Sequence, residues 1–144
     1  MPKKELMLEV SGMFRQLLKN MSNELNKVCT KEYNLSFSQY QILYTLKMRG
    51  ALKVSELAEA RSLTPPAVTG LIDKLDAGGY VKRERAEDDR RVVYTVITEK
   101  GYNIVEKVTE DQKELIQALF DMLPEEDMQH LKRIYSSMLL KYNR

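Results

Sequence analysis

The chain has 144 residues, 31% of them charged and 43% hydrophobic, with few Gly or Pro and a net charge of +2. That length suits one domain or a small domain with an appendage, and the composition is that of an ordinary globular protein with a helical lean. No apolar run approaches the ~20 residues of a membrane span, the polar start MPKKELMLEV is unlike a secretory signal, and the single cysteine, Cys29, excludes an intrachain disulfide framework, so the expectation is a cytoplasmic protein with no membrane partner.

Leu6, Val10, Met13, Phe14, Leu17, Met21, Leu25 and Val28 recur at three- and four-residue steps, which predicts one long helix over 4–29. NLSFSQ then offers a stop and a restart. Ser36 with Gln39 fits a capping box, and Ser38 with Gln41 fits equally well. The following helix runs to about Met48, burying Ile42, Leu43 and Leu46, and Gly50 ends it. VSELAEA forms a short helix burying Val54, Leu57 and Ala58. SLTPPAVTGLIDKLDAGG forms the next, with Thr64 as N-cap and Pro65 at the first helical position, where its missing N–H has no partner to lose. Val68, Leu71, Ile72 and Leu75 are its buried face. The opposite face carries Pro66, Thr69, Gly70, Asp73 and Lys74.

Beyond Gly78-Gly79 the period changes. YVKRER and RVVYTVI are rich in β-branched and aromatic residues, which predicts a β-hairpin. Its loop region, KRERAEDDRR over 82–91, holds five cations and four anions. Thr98 caps a second long helix with a stripe of Ile104, Val105, Val108, Leu115, Ile116, Leu119 and Phe120. Pro124 opens a last helix lined by Met128, Leu131, Ile134, Tyr135, Met138 and Leu139. The fold class is therefore mostly α with a small β-hairpin. Its centre is a winged helix-turn-helix, a unit in which the second helix enters the major groove of DNA. Segment 53–101 nevertheless carries nine cations and nine anions, so any basic surface there must come from placement.

Residues 68–101, VTGLIDKLDAGGYVKRERAEDDRRVVYTVITEKG, resemble the MarR family of bacterial transcriptional regulators. Its wing signature, Asp-x-Arg followed after five residues by an apolar residue and Thr, is met by Asp89, Arg91, Ile97 and Thr98. Ile97 stands where Leu is usual, Ala86 and Glu87 replace a common Asp-Pro, and Gly70 replaces a larger residue. The resemblance implies three segments: an N-terminal dimerisation helix (1–35), the winged DNA-binding domain (36–100) and C-terminal dimerisation helices (101–144). It implies a homodimeric repressor on pseudo-palindromic double-stranded DNA. Arg91 is expected in the minor groove, where A·T-rich narrowing attracts the charge, with Asp89 orienting it. Arg83, Arg85 and Arg90 are candidates for phosphate contact or internal pairing. On the second helix of the motif Thr69 is expected to contact DNA, with Ser62, Thr64, Pro66 and Lys74 beside it.

Two sensing sites follow from the same resemblance. A small aromatic or phenolic effector is implied near Tyr33, Tyr40 and Tyr44, which also read as core tyrosines. Oxidant sensing through Cys29 is the alternative, its thiolate favoured by Lys27 and Lys31. A winged helix used only for protein interaction is a further alternative. No HExxH, P-loop or dinucleotide fingerprint is present, and His130 is the only histidine. No enzyme activity, cofactor or metal is expected.

Overall fold

A computed structural model describes residues 2–143. The chain divides into two compact units, Met1–Glu110 and Asp111–Arg144.

In the first unit α1 spans Lys3–Tyr33. It runs one turn beyond the end of its apolar stripe, because Lys31 and Glu32 continue the helix until Asn34 turns left-handed at φ 54°. The Leu35 N–H then donates to the Cys29 carbonyl at 3.0 Å. α2 (Phe37–Arg49) opens on Ser36: the Gln39 N–H donates to Ser36 Oγ at 3.1 Å, and the Ser36 N–H to Gln39 Oε1 at 2.7 Å. This decides between the two possible boxes. It places Leu35 just before the cap and Tyr40 at the fourth helical position, both buried in one core, the arrangement of a hydrophobic staple.

α3 (Val54–Arg61), a turn through Ser62 at φ 54°, and α4 (Pro65–Ala77) form the helix-turn-helix. Thr64 Oγ1 accepts from the Ala67 N–H at 3.3 Å, so the cap falls where the sequence places it. Ile42, Leu43, Leu46, Leu57, Val68, Ile72 and Leu75 interlock as fully buried side chains. Burying one such aliphatic side chain contributes about 1.5–3 kcal/mol, and that is what makes α4 a rigid platform.

The wing is an antiparallel pair, β1 (Val81–Arg85) and β2 (Val93–Ile97), with Val81 opposite Ile97 and Arg83 opposite Thr95. Leu52 bridges Thr95 from outside, with bonds of 3.2 and 2.8 Å, and so ties the hairpin to the base of α3. α5 (Glu99–Phe120) starts at the Thr98 cap, whose Oγ1 accepts from the Gly101 N–H at 3.2 Å. Its Val105 and Val108 complete the core.

In the second unit α5 continues to Phe120, and α6 spans Glu125–Leu139. Pro124 is its cap rather than its first helical residue, and Glu125, Glu126 and Asp127 fill the first turn, where carboxylates favour the helix dipole. No residue of α6 is buried. Ile134, Tyr135, Met138 and Leu139 of its stripe are exposed, and so are Leu6, Val10, Met13, Phe14 and Leu17 of α1.

Candidate nucleic-acid interface

α4 is held by its buried face, so its other face is fixed in direction. Ser62, Thr64, Pro66, Thr69, Gly70, Asp73 and Lys74 are all exposed. Pro66, Gly70 and Lys74 follow one another at i, i+4, and Thr69 and Asp73 make the adjoining row, which is a single surface of a helix. The Thr64 hydroxyl oxygen is engaged in the cap.

The mixed charge of the wing resolves into specific pairs. Asp89 receives two side-chain bonds from Arg91, Nε to Oδ1 at 3.1 Å and Nη2 to Oδ2 at 3.3 Å, and a third from the Arg91 N–H at 3.1 Å. These bonds, the guanidinium first and the backbone N–H second, lower the pKa of the Asp89 carboxyl. The Arg91 side chain remains 91% exposed and Asp89 40%, so the fork orients the cation without covering it. At the tip the Ala86 N–H donates to the Val92 carbonyl at 2.9 Å and the Val92 N–H to the Asp89 carbonyl at 3.0 Å, closing the loop. Lys82 pairs with Glu84 at 2.9 Å.

Two of the candidate arginines have internal work instead. Arg85 donates through Nη1 to the Arg90 carbonyl at 2.7 Å, bracing the tip. Arg83 reaches back to α4, donating to the Asp76 carboxylate at 2.8 Å and to that of Asp73. Of the two options open from the sequence, internal pairing is therefore the one these side chains adopt. The Asp73–Asp76–Arg83 clamp was not foreseen from the sequence. Its only signal there is two carboxylates at i, i+3 near the C-terminal end of a helix, where the dipole disfavours them. Arg90 has no hydrogen-bond or ion-pair partner for its guanidinium among the described residues.

Tyr40 and Tyr44 pack against each other, and Tyr33 packs against the same core. Tyr33 lines a cleft of about 530 Å³ with Tyr80, Glu99, Lys100, Asn103, Ile104 and Lys107. Tyr40 is buried, its hydroxyl 2.8 Å from Thr109 Oγ1, and its ring stacks on Phe37 at 6.1 Å and tilts against Tyr44. Burial raises its pKa. Next to it Lys47 pairs with Glu106 and lies 4.9 Å over the Tyr102 ring. Lys100 Nζ donates to the Gly78 carbonyl at 2.7 Å and sits 4.6 Å over the Tyr80 ring.

Cys29 corrects an expectation. It is fully buried, and desolvation pushes its thiol up to about 11. Lys27 and Lys31 stand two residues away on either side, and side chains at that spacing do not share a helix face. They give the thiolate no support, so the lysine-favoured thiolate expected from the sequence is not what the fold provides. His130 is exposed on α6, 3.8 Å from Glu126 one turn earlier. Among the described residues no three His, Cys, Asp or Glu side chains gather as a metal site, and no helix is long and apolar enough to cross a membrane.

The model of the MarR family matches residues 35–93, the span from the start of α2 to the start of β2. The HTH-type transcriptional regulator PecS of Dickeya dadantii (strain 3937) is 31% identical over 113 residues, which is 76% of this chain and 68% of that protein. Among solved structures, the YusO protein of Bacillus subtilis superposes with a TM-score of 0.81 at 27% identity, covering 97% of this chain and 99% of its own. Streptococcus pneumoniae FabT, crystallised in complex with DNA, superposes with a TM-score of 0.83 and covers 94% of this chain and 96% of its own; at 18% identity it speaks for the fold alone. The capped α4, the wing fork, the family match and a PecS-like sequence agree: the chain belongs to the MarR family of HTH-type transcriptional regulators.

Proposed function

We propose that this regulator is a ligand-responsive repressor that binds a pseudo-palindromic operator as a homodimer in the cytoplasm. The observation that carries the reading is the Asp89 fork, which holds an almost fully exposed arginine at the tip of a wing beside an exposed, N-capped helix. α4 enters the major groove, with Thr69 meeting base edges or phosphate and Ser62, Thr64, Pro66 and Lys74 lying along the backbone. Arg91 enters the neighbouring minor groove, held by Asp89, and Arg90 meets phosphate. Arg83 and Arg85 hold the wing in shape. FabT, a protein of the same fold, is known in complex with DNA, which supports DNA as the partner.

The winged core at 36–100 is flanked by dimerisation segments at 1–35 and 101–144. Support for this comes from the uncovered apolar stripes of α1 and α6, which are more than a lone protomer ordinarily leaves in water. A two-fold dimer reads half-sites one helical turn apart, roughly 34–36 Å. The effector is a small aromatic or phenolic molecule, and the Tyr33 cleft is a more open place for it than the buried Tyr40. Footprinting on the DNA upstream of its own gene tests the assignment: protection of a two-fold site is expected, and no protection at low salt would contradict it. Sedimentation at micromolar concentration tests the dimer, which a clean monomer would exclude.

A further inference from the structure

The clamp between wing and reading helix has a consequence for how DNA is read. We infer that Arg83 is a positioning residue: it locks β1 to the C-terminal half of α4, so that helix and wing meet DNA as one pre-set unit. The inference rests on the DNA-binding reading above. Arg83 donates to two carboxylates, Asp73 and Asp76, that lie at i, i+3 on α4. Its side chain is 35% exposed, against 91% for Arg91. To reach a phosphate it would leave two carboxylates unpaired next to a polyanion. Its place in the strand is equally fixed. It stands opposite Thr95, which is buried and bonded on its other side to Leu52. One end of the clamp is thus anchored in the hairpin root and the other in the helix that reads.

The arrangement also explains two acidic residues on a face proposed to meet DNA. Asp73 and Asp76 stand near the negative end of the α4 dipole, where a carboxylate is unfavourable. Arg83 offsets one of their two negative charges, and the bridge fixes the angle between the two reading elements. A forked guanidinium suits this because its donors are rigidly disposed. Without the clamp, helix and wing would have to be ordered relative to each other on the DNA. That cost falls on a specific complex, which needs both elements in register, and much less on non-specific phosphate binding.

The test uses the full-length protein, duplexes selected by the wild type from a randomised pool, and an unselected duplex of equal length. Failure of the wild type to enrich any sequence would overturn the DNA-binding reading and this inference with it. If it does enrich one, Arg83→Ala and the shape-conserving pair Asp73→Asn/Asp76→Asn are expected to lower the ratio of selected to unselected affinity roughly threefold or more, the range of a coupled exposed ion pair. The triple variant should lose no more than the double. Bulk electrostatics predicts the opposite sign for the Asn pair, since two negative charges leave the interface. A phosphate contact by Arg83 would instead weaken both duplexes equally and lower the salt slope by about one. An unchanged ratio in the Asn pair, with melting temperatures near wild type, overturns the inference and leaves the DNA-binding reading standing.

Discussion

Two glycines in this chain should answer the same substitution with opposite signs. Gly70 lies inside α4 with ordinary helical backbone, and a Cβ added there would meet nothing within 4 Å. Gly in a helix interior is about 0.8–1 kcal/mol less favourable than Ala, and no contact in the fold compensates. Gly70→Ala should therefore stabilise by about that much, a rise of roughly 2–4 °C in melting temperature. Gly101 is the reverse. Its Cβ would stand 2.2 Å from the Tyr80 carbonyl oxygen and 2.9 Å from Ile97 Cγ1. That carbonyl is not free to move, because it accepts from the Thr98 N–H at 3.0 Å and the Tyr80 N–H is bonded to Leu75 at 2.9 Å. Overpacking of this kind costs about 1–3 kcal/mol. Breaking the Thr98 bond to make room adds about 1 kcal/mol, so Gly101→Ala should destabilise by roughly 2–4 kcal/mol. Urea unfolding at fixed protein concentration reads both. A lowered midpoint for Gly70→Ala, or a Gly101→Ala midpoint equal to wild type, would refute the reasoning. The Gly70→Ala protein should also bind its operator less well, since the new methyl stands on the face proposed to meet the groove. Unchanged affinity would remove Gly70 from the interface.

Asp89→Ala should weaken specific binding although it removes a negative charge near DNA, because Arg91 loses its orienting partner and more rotamer freedom must be given up on contact; unchanged or tighter binding across a salt titration would show that the fork orients nothing. Arg91→Ala should lower affinity and also reduce preference for A·T-rich flanks, which competition between duplexes with different flanks measures. Cys29 favours its neutral thiol in the fold, with a pKa of about 11, so its contribution is present below the unfolded value near 9 and lost as pH rises through 11. Wild-type stability should therefore fall with pH over that window more steeply than that of Cys29→Ala, by up to about 1.4 kcal/mol per pH unit, and native Cys29 should resist iodoacetamide at neutral pH. Tyr40→Phe should cost about 1 kcal/mol by leaving the Thr109 hydroxyl without its partner, as chemical denaturation would show.

What the sequence made legible was local. The Thr64–Pro65 start of α4 lies within one helical turn, and the Asp89–Arg91 fork within three residues, so their geometry follows from short-range rules. The Arg83 clamp spans seven to ten residues across the Gly78-Gly79 turn, and only the path of the hairpin decides which carboxylate an arginine meets. That α1 continues through Tyr33 to a left-handed Asn34 was likewise not legible, because the apolar stripe ends a turn earlier. The expectation that Lys27 and Lys31 favour a Cys29 thiolate treated sequence neighbours as spatial neighbours on a helix, where residues two apart diverge. The apolar stripes of α1 and α6 were visible as patterns, but a pattern does not say whether the covering surface belongs to the same chain or to a second one.

The way these charges pair also bears on the strength of binding. A segment with nine cations and nine anions has no excess to offer a polyanion, yet the pairs are not symmetric in exposure. Arg83 offsets one of the two charges of Asp73 and Asp76, and Lys82 offsets that of Glu84. Arg91 is held by Asp89 and still faces solvent. On this reading Lys74, Arg90 and Arg91 are the cations of each proposed reading surface that are available to the duplex, two at phosphates and Arg91 in the minor groove. In a dimer that makes six contacts, and affinity should then fall with log salt at a slope of about −5. A protein using Arg83 and Arg85 as well would show ten contacts and a slope of about −9. Operator affinity measured between low and moderate salt separates the two. A slope near the steeper value would mean that the internal pairs open on DNA, and that these arginines exchange their carboxylate and carbonyl partners for phosphates in the complex.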